Sequence, residues 1–480
     1  AVKKVYQVNK PASGFKPKLA SVRIAGAGKR AWIMINGKRF APIYFDLPHY
    51  SSDPEGKIFY LNNAVKSDAR IIRTGFDMRK MWLGPDKFDF TKFDKAMNIL
   101  LANAPDRYVL TVVSSYMPGW WLQKYPDEAT KFYGNVKPNI NHDFQSRGSK
   151  KWLVDISVAY RKLIEHIKRQ PYASRIIGMC PADGSTWEWM WSHGRGHRGR
   201  TYSGYSVAAI NSFREFLRKK YGDRELFKTV MPPTPKRLDS ASVVNMLDPQ
   251  RDQDLIDWFE YRNETVSDDI IHLCRTIKEA SGNNWISGTY YGYLIMFSRM
   301  YFHLQDGGHL GINKIAKSPY VDFVFGPTMY HWRRLGMSDS PMQPSEAFTS
   351  HGKLVICELD YRVFPEPTDY ERRNGKVDTV EQSEAVMNRG LAMILTRGLG
   401  GHYMELHERW FHEPVLLKMI KNQLELYRSL PVKPHGYIPV DVCVVSDEVS
   451  PLYVKNNMGD GIDVAMISEL LKRIREAGFA

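Results

Sequence analysis

The sequence predicts an α/β fold: one (β/α)8 TIM barrel with enlarged loops, followed by the start of a second α/β unit. Three observations carry this expectation. Apolar runs of strand length alternate with segments of amphipathic helical spacing. The runs are apolar nearly throughout, as in parallel strands buried on both faces. The alternation fills roughly 400 residues, which suits one large barrel better than several small domains.

Residues 1–30 are basic and rich in Gly, Pro and Ala, and read as an extended arm. Within them Gly26-Ala27-Gly28-Lys29-Arg30 lacks the spacing of a phosphate-binding loop. Residues 32–40 read as a hairpin turning at Asn36-Gly37 that could plug the bottom of a barrel. The barrel domain is expected over 31–433. Its strands are placed at 41–45 (ending at Asp46), 69–73, 108–113, 175–179, 285–291, 321–325, 353–357 and 401–406. Helices are expected at 91–103, 154–170, 206–221, 252–280, 379–396 and 413–430. After Pro434-His435-Gly436 the pattern restarts over 434–480, with an apolar strand at 438–446 and a helix at 463–477. One strand and one helix cannot bury a core of their own. The unit is therefore expected to continue, or to be covered by other chains of a homo-oligomer.

The 480 residues carry no apolar run of membrane-spanning length. The four cysteines (Cys180, Cys274, Cys357 and Cys443) are widely spaced and read as free thiols; no metal-ligand spacing is present, and no cofactor or metal is expected. The net charge of +15 leaves nucleic acid, a membrane surface or an acidic substrate as partners, against dispersed surface lysine. No nucleic-acid reading module is recognisable. Ala1 suits a processed or a trimmed chain, and a periplasmic or secreted location follows only if it marks processing.

Two acids stand just past strand-like runs. Arg175-Ile176-Ile177-Gly178-Met179-Cys180 leads to Asp183-Gly184-Ser185-Thr186-Trp187-Glu188-Trp189; Lys353-Leu354-Val355-Ile356-Cys357 leads to Glu358-Leu359-Asp360-Tyr361-Arg362. The C-terminal ends of barrel strands carry the chemistry. Two carboxylates on opposite walls of one pocket are what glycoside hydrolysis requires: one protonates the leaving oxygen, the other attacks the anomeric carbon or activates water. The alternative for either Glu alone is a strand-end residue paired with an Arg, and their matching places in a repeating unit favour catalysis.

These segments resemble glycoside hydrolase family 42 and related β-galactosidase-like enzymes of clan A, in a divergent branch. The resemblance implies that Glu188 is the acid/base and Glu358 the nucleophile of a retaining β-glycosidase acting on a galactose-containing glycan. It also implies that Val440-Asp441-Val442-Cys443-Val444-Val445-Ser446 opens a trimerisation domain, favouring a trimer. By position it implies that Arg73 lies near the nucleophile and that Tyr330 donates a hydrogen bond toward it. One departure is clear: most clan A enzymes place Asn before the acid/base, where this chain has Trp187. A carbohydrate-binding barrel that has lost catalysis is the alternative.

Aromatics and polar groups past the strands complete the expected substrate site: Trp187, Tyr290, Tyr330, Trp332 and Trp410 for sugar faces, with Asp360 and Glu405 beside them. The loops also carry His193, Arg195, Arg198 and Arg200, then Arg333 and Arg334, then Arg362. Paired guanidinium donors suit sulfate or carboxylate, so an oligo- or polysaccharide that is anionic, such as a sulfated galactan, is the expected partner.

Overall fold

A computed structural model describes residues 17–47, 54–135, 144–184, 186–191, 202–240, 246–299, 304–365, 374–405, 410–430, 442–454, 462 and 464–478. The first three strands, β1 (Val22–Ala25), β2 (Trp32–Ile35) and β3 (Lys38–Phe40), form a small antiparallel sheet. Asn36 and Gly37 take the positive φ values of the β2–β3 turn, 49° and 80°. Val22 N–H donates to the Asn284 carbonyl at 2.8 Å, and Gly28 N–H to that of Gly398 at 3.1 Å. Both acceptors precede barrel strands, so the sheet covers the N-terminal mouth, as the hairpin reading anticipated. The expected arm is corrected in part: residues 22–25 are a paired strand, because Val22 and Ile24 have an apolar neighbour in β2 to bury against.

Next in the chain come β4 (Ile43–Leu47), β5 (Ile71–Phe76), the short hairpin β6 (Trp82–Gly84) with β7 (Lys87–Phe88), β8 (Tyr108–Ser114) and β9 (Ile176–Ala182). They are followed by β10 (Ile286–Tyr290), β11 (Phe323–Pro327), β12 (Leu354–Glu358) and β13 (Gly400–Tyr403). Strands β4, β5 and β8 to β13 close into an eight-stranded parallel barrel, β13 pairing back onto β4. Helices fill the outside. Lys150–Lys168, capped by Ser149, and Pro249–Ala280, capped by Asp248, pack on each other. Val380–Arg397 and Pro414–Ser429 form a second such pair.

The barrel interior is solid. Phe325 meets Tyr44 from the far side (centroids 6.1 Å apart), Tyr290 at 5.3 Å and His402 at 5.7 Å. Inward residues of this layer lead straight to the mouth, because side chains alternate along each strand. Ladder partners fix the relation: Glu358 lies beside His402, and Asp46 beside Arg73.

The C-terminal segment departs from expectation. Described residues 442–446 form no strand, and Val445 is 87% exposed. The chain is held instead by a short helix over Ser450–Tyr453, with Leu247 N–H donating to the Tyr453 carbonyl at 2.7 Å and Asn313 N–H to the Glu448 carboxylate at 2.9 Å. An apolar run alone does not make a strand, and among the described residues no strand pairs with 442–446.

Candidate active site

Glu358 ends β12 and is buried at the barrel mouth, 4% exposed. The cation that acts most on it is Arg73 of β5, whose guanidinium donates to Asp46 at 2.9 Å and to the Tyr290 hydroxyl. The Tyr290 hydroxyl, accepting from Arg73, donates in turn to the Glu358 carboxylate. His402 lies between two acids, its Nδ1 3.7 Å from Glu358 and its Nε2 3.6 Å from Asp46. Burial is the largest influence on Glu358 and raises its pKa to about 8; Arg73 opposes this, while Asp360 and Glu188 add to it. Neither Arg73 nor Arg362 outweighs that burial. Arg73 shares its charge with Asp46, and Arg362 is taken up by Asp360. Burial also lowers the pKa of His402, so its ring is neutral. Among the described residues Glu358 Oε1 is buried and has no hydrogen-bond partner.

Glu188 follows β9 on a loop held from beneath. Asp183, fully buried, receives Gln145 Nε2 at 2.9 Å and pairs with Arg147 at 2.8 Å. Its carbonyl accepts from Trp189 N–H at 2.8 Å, while Gly184 accepts from Trp187 N–H at 2.9 Å. Trp189 is locked by its indole N–H on the Pro181 carbonyl at 2.9 Å and by Arg147 4.8 Å over its ring. Trp187 and Trp189 both adopt positive φ, 71° and 59°. Such backbone is uncommon for bulky residues and persists only where neighbours over-determine it. Glu188 itself stays half-buried between them. Its charge acts on Glu358, and the buried Tyr293 senses both acids. The ends of β9 and β12 thus bring the two carboxylates into one electrostatic environment.

The other expected residues divide. Tyr290 belongs to the centre, and it, not Tyr330, bonds to Glu358. Tyr330 lies instead under Arg333, 4.4 Å from its guanidinium, and in the field of Asp360 and Glu188. Trp187 is half-buried at the mouth, but Trp332 and Trp410 are 1% exposed, so neither offers a sugar-stacking face. Trp410 packs beneath Arg362 at 4.5 Å. Glu405 is buried and accepts Phe411 N–H at 3.3 Å, a backbone-holding role. His193, Arg195, Arg198 and Arg200 lie outside the described residues.

Arg333 was expected to hold a substrate anion. It is corrected to a structural ion: buried beside Asp360, it donates to that carboxylate and to the Asn374 carbonyl at 2.9 Å. Arg362 takes the other Asp360 oxygen at 2.6 Å. Arg333→Ala would leave Asp360 paired with Arg362 but remove a buried charged donor from its other oxygen. We therefore expect it to lower unfolding free energy by about 1.5–3 kcal/mol, read by denaturant titration. Stability within about 1 kcal/mol of the parent would restore the substrate role.

Asp46, His402, Asp183, Arg147 and His309 were not anticipated. Asp46 and His402 carried one legible signal, a lone polar residue near the end of an apolar strand run.

The described chain is thus a closed (β/α)8 barrel with one glutamate following its fourth strand and another ending its seventh. No family model matches the chain, and no curated protein does. Solved structures do. The catalytic domain of a β-amylase from Paenibacillus polymyxa superposes with a TM-score of 0.56 at 14% identity, over 82% of this chain and 100% of that one. A β-galactosidase from the Antarctic haloarchaeon Halorubrum lacusprofundi gives 0.57 at 12%, over 86% and 61%. One from the psychrophilic Marinomonas ef1 gives 0.54 at 11%, over 80% and 59%. The chain thus spans about three fifths of each β-galactosidase. At these identities the likeness establishes the fold, the (β/α)8 barrel seen in these glycosidases.

Proposed function

We propose that this chain is a retaining β-glycosidase, β-galactosidase-like in type, that hydrolyses a galactose-containing glycan by double displacement. What carries the reading is that Glu188 follows β9 and Glu358 ends β12 at the same end of the barrel, near enough for the charge of Glu188 to act on the Glu358 carboxyl. In the first step Glu188 gives its proton to the leaving glycosidic oxygen as a carboxylate oxygen of Glu358 bonds to the anomeric carbon. In the second, Glu188 takes a proton from water, whose oxygen displaces Glu358. Tyr290 orients the attacking carboxylate, and Arg73, shared with Asp46, offsets part of the cost of its charge. A sulfated galactan remains our proposed substrate. With Arg333 spent on Asp360, its anion would fall to the exposed Arg334 and the arginines after β9. Hydrolysis of a panel of neutral and sulfated oligosaccharides tests both levels. We expect turnover of β-galactosides, greater when sulfated; turnover of none would overturn the reading, and equal rates on sulfated and desulfated pairs would remove the anion.

The pair must share one proton to work, whichever carboxyl holds it in the free protein. With burial raising Glu358 to about 8, the shared proton is lost above that pH. We expect kcat/KM to fall about tenfold per unit above pH ~8. A profile level to pH 10 would contradict this.

A further inference from the structure

His309 lies far from any segment read as functional, yet it is fully buried and reaches the acid-bearing loop. Its Nδ1 accepts two backbone donors that follow β10, Gly292 N–H at 3.1 Å and Tyr293 N–H at 3.3 Å. An imidazole nitrogen that accepts carries no hydrogen, so in the neutral ring the proton sits on the other nitrogen. Nε2 is 2.9 Å from the Glu188 carbonyl, which can only accept. The tautomer is thereby fixed, with Nε2–H donating to the backbone of Glu188. Tyr291 stacks on the ring (centroids 4.8 Å apart, planes 23° apart), and Tyr293 and Phe297 close its other sides at 4.9 and 4.8 Å. Burial holds the imidazole pKa down to about 3, so the ring does not acquire a second proton near neutral pH.

We propose that His309 is a positioning residue: a strut of fixed tautomer that ties the Glu188 backbone to the loop after the fifth barrel strand and so aims the Glu188 carboxyl at the leaving oxygen. The inference rests on Glu188 acting as the acid. The geometry supports a strut because Glu188 is flanked by two positive-φ tryptophans, a backbone with few intrinsic restraints toward that shape. The Arg147–Asp183 pair anchors the loop from one side; from the other His309 meets the Glu188 carbonyl, and Trp191 N–H donates to the Gly307 carbonyl at 3.0 Å. Movement of about 1 Å in a positioned group can cost on the order of 10²-fold in rate.

Leaving-group dependence separates aim from folding. A misdirected acid slows substrates whose leaving group needs a proton and spares those that do not. His309→Asn keeps an acceptor near Nδ1 but shortens the reach to Glu188; His309→Gln places an amide N–H near Nε2. We expect His309→Asn to lose about 10²-fold in kcat on an alkyl or sugar leaving group and less than about threefold on a dinitrophenyl glycoside. His309→Gln should recover most of that loss. Equal losses on both leaving groups, or no recovery by Gln, would overturn the proposal. Should Asn prevent folding, imidazole ¹⁵N resonances of the intact protein decide: Nε2–H with bare Nδ1 supports the strut, and Nδ1–H overturns it. If the parent protein cleaves neither substrate, the glycosidase reading fails first and separately; if it cleaves both and Glu188→Gln does not discriminate between them, Glu188 is not the acid.

Discussion

Glu358→Gln is expected to reduce kcat/KM by at least about 10⁴-fold on every substrate, activated aryl glycosides included, because the amide cannot form the glycosyl bond that splits the reaction in two. The same substitution should make the protein more stable at alkaline pH. The Glu358 pKa is raised from 4.5 to about 8 in the folded protein, so the folded state holds a proton that the unfolded chain releases. Stability therefore falls as pH climbs from about 4.5 to about 8, and glutamine, which never ionises, escapes that loss. The gain at pH 8 should be on the order of a few kcal/mol, or a few degrees in Tm for a chain of this length. Loss of both activity and stability would mean that the carboxyl holds the barrel together instead of reacting.

Glu188→Gln is expected to behave differently. Turnover of oligosaccharides should drop about 10³-fold or more, since their leaving oxygen needs a proton, while dinitrophenyl glycosides should still form the glycosyl-enzyme. Without a base to activate water that intermediate should accumulate, giving a burst and then a slow phase. Azide, which needs no base, should speed the slow phase. Parallel losses on both classes of substrate, with no burst, would show that Glu188 is not the acid/base.

The barrel was legible because its strands are continuous apolar runs, but several strands were placed about two residues early. The first was expected at 41–45 and spans Ile43–Leu47; the sixth was expected at 321–325 and spans Phe323–Pro327. In each case polar residues or a proline argued for a loop. The barrel mouth reverses that argument: Asp46 and Arg73 are ladder partners that neutralise each other, so the strands continue through them. The position of the two glutamates at the barrel mouth was legible from their place past two strands. Their supports were not, because each depends on a partner distant in sequence. Arg333 reads as an anion reader until Asp360 is seen against it, and His309 reads as nothing until the fold carries it to the Glu188 carbonyl. The valines at 442 and 445 show the opposite failure, where apolar composition suggested a strand and the described chain leaves them at the surface.

The central claim, that Glu358 attacks the anomeric carbon, is tested most directly by covalent trapping. A dinitrophenyl 2-deoxy-2-fluoro-β-glycoside of a sugar the parent protein hydrolyses slows the second step more than the first. The account predicts one glycosyl mass added per chain, located on the peptide that carries Glu358 and absent from Glu358→Gln. Hydrolysis of the parent sugar to a product of inverted anomeric configuration, with no adduct on Glu358, would contradict it.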